Sequence, residues 1–253
     1  MEQPDFSVVF IAAPLSVGLK CAVCRIKTIL TPSSHDLNKL MDASLKRSLE
    51  MLEKLSSGCG IVAPPLMVAL WALASFLRPG YNQLTQRGSE LGTGQAAIVM
   101  NVNFAITGVL IMIFALGLGR SIHGSKWSRI GPVFLLICGV GEAMTGAFPC
   151  DPGCRAATGS FSQNVHLGTA VVFFGSISIT PFLVGIGLSR SQSWKFYRSY
   201  SIASGLASIV LFFVFSIAVL SSFQNVGLVQ RLFLAVPFLW MESMAIRAVN
   251  VSS

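Results

Sequence analysis

Charge is what this sequence has least of. Of its 253 residues, 11% are Asp, Glu, Lys or Arg, against about 25% in typical soluble domains. That scarcity excludes a disordered chain, which stays solvated through its charge, and argues against a soluble enzyme with a charged skin. Histidine is also scarce, at three residues. No H-x-x-x-H or multi-histidine pattern occurs, and only His166 falls in or at the edge of a long apolar segment, so haem has no pair of ligands. No GxxxxGK run is present to cradle a phosphate. Glu2 and Asp5 stand where a signal or transit peptide carries basic residues. No cofactor is implied.

What is abundant is apolar material: 53% of the chain, with a mean hydropathy of +0.70. It arrives in blocks. A helix needs about 20 apolar residues to cross a bilayer core of roughly 30 Å, and six segments reach that length: 58–77, 97–118, 130–148, 166–188, 201–220 and 227–246. Backbone groups in lipid must bond within their own segment, so these are helices. The expected fold is therefore all-α, a polytopic bundle of six transmembrane helices, with Pro64-Pro65, Pro181 and Pro237 kinking their helices without ending them. Basic residues mark the cytoplasmic connections. Of the 18 Lys and Arg, only Arg78, Arg87, Arg155 and Arg231 fall outside the N-terminal segment, the second and fourth connections and the tail. Both termini are thus expected to be cytoplasmic. The net charge of +8 reads as orientation, and no nucleic-acid partner is called for.

Three regions follow: a cytoplasmic segment 1–57, the membrane domain 58–247 and a short cytoplasmic tail 248–253. Within the first, Leu37, Leu40, Met41, Leu45, Leu49 and Leu52 recur at helical spacing among charged residues. This predicts an amphipathic helix over about 34–55, lying on the cytoplasmic leaflet or packing on the bundle's loops or a partner. The apolar stretch 6–19 is too short to span comfortably and contains Pro14; it fits neither a signal nor a seventh crossing, which leaves a re-entrant or hydrophobic loop.

The six cysteines do not form a framework. Cys21 and Cys24 lack the second pair that a zinc site requires and read as reduced thiols or a palmitoylation site. Cys59 and Cys138 read as small apolar residues. Cys150 and Cys154 flank Asp-Pro-Gly on the expected exoplasmic side, where oxidising conditions permit a disulfide.

Ionisable groups within spans are costly and need a partner or a polar cavity. Helical rise places Asn103, Glu142 and Arg231 within roughly 9 Å of the outer end of their helices. Asp151 and His166 stand at the start of the fourth span. Independent spans therefore bring polar groups to one depth, and a shared pocket requires Glu142, His166 and Arg231 to face one cavity. Two plainer roles compete: Glu142 and Arg231 neutralising each other, and asparagines bridging helices. Glu242 sits near the opposite end. The glycines of the third span (Gly139, Gly141, Gly146) and fourth span (Gly168, Gly175, Gly185, Gly187) suggest close helix packing.

Several motifs resemble those of the membrane family called domain of unknown function 998. Tyr81 followed by Gly88-Ser89-Glu90-Leu91-Gly92 resembles its ISELG signature, with Gly88 in place of the usual Ile. Asn103 with Gly108, Gly141 through Phe148-Pro149-Cys150-Asp151 to His166, and Gly227-Leu228-x-Gln230-Arg231 resemble its later motifs. The resemblance covers roughly 58–247 and leaves the N-terminal segment outside. It implies a six-helix membrane fold and brings no established reaction. It groups Glu90, Asn103, Asp151, His166 and Arg231 on one membrane side.

Three functions fit to different degrees. The first is a non-catalytic integral membrane protein whose exoplasmic pocket, built from Glu90, Asn103, Glu142, Asp151, His166 and Arg231, binds a lipid headgroup or small polar ligand. The second is an intramembrane lipid-modifying enzyme using Asp151 and His166 with Glu90 or Glu142 for acid–base work or a divalent cation. A transporter fits less well, since no internal repeat appears and charge does not line a complete path. Membrane lipids are the expected partners in each case.

Overall fold

The computed structural model describes residues 34–95, 97–122, 126–154, 159–188 and 194–251. The stretch 6–19, the Cys21/Cys24 pair, Arg155, Arg190 and Ser252 lie outside them. The chain divides into two units, Met1–Leu49 and Glu50–Ser253. The described part of the first is helical, with Leu45 and Leu49 exposed.

The described residues hold six long helices and no strand: α1 (Ser34–Leu77), α2 (Ala97–Ser121), α3 (Trp127–Ala147), α4 (Phe161–Gly187), α5 (Lys195–Leu220) and α6 (Val226–Val251), with a 3-10 turn at Gly88–Gly92. Each helix contains a segment long and apolar enough to cross a membrane. Pro64, Pro65, Pro181 and Pro237 all lie inside continuous helices and do not end them, as expected. Pro132, within α3, adds a fifth such position.

Of the boundaries that differ from the hydropathy reading, two have a local reason. No break separates the amphipathic stretch from the first span. The Ser56 hydroxyl donates to the Glu53 carbonyl at 2.9 Å, and Ser56 and Ser57 are buried, so Ser-Ser-Gly continues the helix. The fourth helix starts five residues before His166, because Ser160 caps it by accepting from the Gln163 N–H at 3.2 Å.

From α2 onward, neighbours in sequence pack as neighbours in space, with α3 closely flanked by α2 and α4, and α5 and α6 following. The ring closes between the first and last helices. Gly60 of α1 is so tightly placed that an added Cβ would stand 2.7 Å from Ala245 of α6 and 2.6 Å from Phe114 of α2. The core holds Met67, Met100, Phe114, Leu135, Phe173, Phe233 and Trp240, all essentially inaccessible. The Trp240 indole donates to Ser201 Oγ at 2.9 Å, joining α6 to α5. Apolar side chains on the outer faces remain exposed, Phe76 and Leu220 at 86% and Ile98 at 75%. A surface this apolar is a lipid-facing one.

Glycine permits the closest approaches of α3. A Cβ at Gly141 would stand 3.0 Å from the Thr169 carbonyl and the Phe173 amide nitrogen of α4. On the opposite side Gly139 meets α2, where a Cβ would lie 2.7 Å from the Gly108 carbonyl. The glycines of α4 divide. Gly185 and Gly187 are tightly packed, whereas Gly168 and Gly175 have open space where a Cβ would stand, so they contribute nothing to helix approach.

Candidate functional site

One end of the bundle is roofed by two connections tied to each other and to α6. The segment after α1 is held on the last helix by four bonds. The Gly88 N–H donates to Gln230 Oε1 at 2.8 Å, the Leu228 N–H to the Leu84 carbonyl at 2.9 Å, and Arg231 to the Tyr81 hydroxyl at 3.0 Å and the Gln86 carbonyl at 3.3 Å. Gly88 is required there because a Cβ would lie 2.5 Å from the Trp71 ring. The departure from Ile at this position is thus matched by an indole filling the space. Arg87 reaches across to the second connection, donating to the Cys154 carbonyl at 2.9 Å.

Beneath this roof lies a cavity of about 190 Å³, to which every helix contributes: Trp71, Phe104, Glu142, His166, Phe212 and Gln230 from α1 to α6 in order. Phe173, Phe174 and Phe215 make much of the remaining wall. They belong to an aromatic cluster in which Phe174 meets Phe215 at 5.2 Å and Phe215 stacks on Phe233 at 5.9 Å between centroids. Arg87, Gly88 and Ser89 close the roofed end.

Polar chemistry is concentrated in two of these residues. His166 Nδ1 lies 2.9 Å from the Phe148 carbonyl and 3.2 Å from that of Thr145. Both partners accept, so Nδ1 carries a proton and donates, and in the neutral ring Nε2 keeps its lone pair. Nε2 is buried without a partner, as is Oε1 of Glu142, and both residues are 2% exposed. Unmet acceptors of this kind each cost about 1–3 kcal/mol.

The other residues singled out by depth are placed elsewhere and are bonded to protein. Asn103 donates to the Met67 carbonyl at 3.0 Å and accepts from Thr107 at 3.2 Å, locking α2 to α1. Glu90 accepts from Gln86 Nε2 and the Arg87 N–H, each at 3.0 Å, and lies 3.7 Å from Arg87 Nε. Asp151 accepts from the Ser160 amide and hydroxyl, each at 2.8 Å. Those bonds hold its carboxyl below the ordinary carboxylate range. Arg231 lies against the Trp71 ring, 4.6 Å from its centroid, and lines a separate groove. It makes no ion pair with Glu142. Of the six, Glu142 and His166 alone share the cavity. Trp71, Arg87 and Ser89 were missed. Arg87 and Ser89 flank Gly88 in the turn motif, which was a signal; an apolar-span tryptophan gives none.

Cys150 and Cys154 form a disulfide, their Cα atoms 5.3 Å apart, within the usual range. Their sulfurs and a His166 ring nitrogen lie within 4.8 Å of one another. That set could hold a soft metal ion only with both thiols reduced.

Six apolar helices around a small cavity, its wall largely apolar, define an integral, multi-pass membrane protein. The chain belongs to the family described as protein of unknown function (DUF998), whose model matches residues 61–247. No curated protein and no solved structure matches it significantly.

Proposed function

We propose that this membrane protein is a non-catalytic binder of a lipid headgroup or small polar ligand, held in the cavity beneath the Gly88–Gly92 turn on the exoplasmic side, with both termini cytoplasmic. One observation carries the reading: Glu142 and His166, from different helices, line the same apolar cavity and each retains a buried polar atom without a protein partner. A head bearing hydroxyl or amine donors would supply what these acceptors lack, and the phenylalanine wall suits an attached apolar portion. The volume of about 190 Å³ is the scale of a headgroup and not of a whole lipid. The basic residues of the opposite connections support the orientation.

A second reading, an intramembrane enzyme acting on a lipid-like molecule, is favoured by the unprotonated Nε2 of neutral His166 sharing a cavity with the carboxyl group of Glu142. Asp151 and Glu90 do not support it, being engaged in the loops. The test is mass spectrometry of small molecules co-purifying with the protein in mild detergent. A hydroxyl- or amine-bearing amphiphile should be retained by the wild type and depleted about tenfold, the equivalent of one lost hydrogen bond to a buried group, in His166→Ala and Glu142→Gln with unchanged melting. Equal retention in all three proteins would sink the binding reading. Chemical conversion of the retained amphiphile by the wild type alone would favour the enzyme.

A further inference from the structure

We propose that the groove between α1 and α6 seats one anionic phospholipid, its phosphate on Arg231 and an acyl chain along the groove. This site is separate from the roofed cavity and does not rest on the function proposed above. The groove has a volume of about 630 Å³, and Trp71 and Leu234 stand between it and the cavity, lining both. Its walls include Pro65, Val68 and Ala72 of α1 with Ala235 and Leu239 of α6. All five side chains are exposed, on a face that meets lipid once the spans are in a bilayer.

Arg231 stands at one end, about 7.5 Å along α6 from Val226 by helical rise. That depth is interfacial. Its guanidinium donates to the Gly227 carbonyl at 2.8 Å, the Gln86 carbonyl at 3.3 Å and the Tyr81 hydroxyl at 3.0 Å. These groups are neutral. Among the described residues no carboxylate is paired with it: Glu90 is turned to Arg87, and Glu142 lines the other cavity. Trp71 and Tyr81, with centroids at 4.6 Å and 6.0 Å, hold the guanidinium in place. A fixed, uncompensated cation at an apolar groove's mouth is complementary to a phosphate, which the planar guanidinium matches better than an ammonium does.

The far end sets the direction. Glu242 lines the groove about 16 Å farther along α6, and its carboxylate repels an anionic head. The headgroup therefore sits at Arg231 and the chain runs toward Glu242. Free phosphate would use Arg231 but leave the apolar walls uncovered.

The test is native mass spectrometry of the full chain in detergent, titrated with phosphatidylglycerol or phosphatidylcholine. The wild type should retain one phosphatidylglycerol in preference to phosphatidylcholine by about fivefold, the effect of one basic residue at an anionic surface. Arg231→Gln should abolish the preference and Arg231→Lys should keep part of it. Ala235→Trp, which fills the groove and leaves Arg231 in place, should lower phosphatidylglycerol occupancy and decides the matter if Arg231→Gln does not fold. Equal retention of both lipids by the wild type, a preference that survives Ala235→Trp, or displacement of phosphatidylglycerol by millimolar inorganic phosphate would overturn the proposal.

Discussion

Both oxygens of Asp151 are taken by Ser160, the residue that also caps α4. The carboxyl therefore ionises more readily in the folded loop than in an unfolded chain, and its contribution to stability has a defined sign. It is fully present above the unfolded value of about 3.9 and is lost as pH falls through the depressed folded value. Melting of the detergent-solubilised protein from about pH 6 down to pH 3 should show the wild type losing stability at the acid end. Asp151→Asn should start lower and respond less. The same residue illustrates what a sequence yields and what it withholds. Depth along a helix is fixed by the rise per residue, so a sequence can be read for the level of Asn103, Glu142, His166 and Arg231 along their helices. Direction around the helix turns by about 100° per residue and depends on how neighbours cross, so the partners of each were not. Hence Glu142 and His166 share a cavity while Arg231, at similar depth, faces a groove on another side.

Helices in lipid gain little from apolar contact alone, so the individual polar and small-residue contacts between them matter more than in a soluble core. Asn103 is one such contact, bridging α2 to the Met67 carbonyl of α1. Asn103→Ala should lower stability by about 1 kcal/mol, measured by unfolding in a mixed-detergent series. Gly141 is another. Gly141→Leu must push α4 away from α3, since even a Cβ would meet Thr169 and Phe173 at 3.0 Å. A cost of about 1–3 kcal/mol is expected in the same assay, while Gly168→Ala, facing open space, should be neutral. The six spans and their internal prolines were readable because hydropathy and length determine them. The start of α4 was not, because a serine cap and not hydrophobicity decides it.

Six crossings put the two ends of the membrane domain on one side, and the distribution of basic residues is the ground for proposing that this side is cytoplasmic. Expression with microsomes should leave Asn250-Val251-Ser252 without a glycan, whereas an acceptor sequence introduced at 155–158 should be modified. The opposite pattern would invert the topology. The bundle is also a ring closed by its last member. Gln230 and Arg231 fasten the roof, Leu234 completes the cavity wall, and Ala245 meets Gly60 near the start of the membrane domain. During synthesis, then, five inserted helices lack the Gln230 and Leu234 wall of the cavity. The cavity is closed only once α6 has left the ribosome, so a chain truncated before Val226 should present an open interior to quality-control proteases.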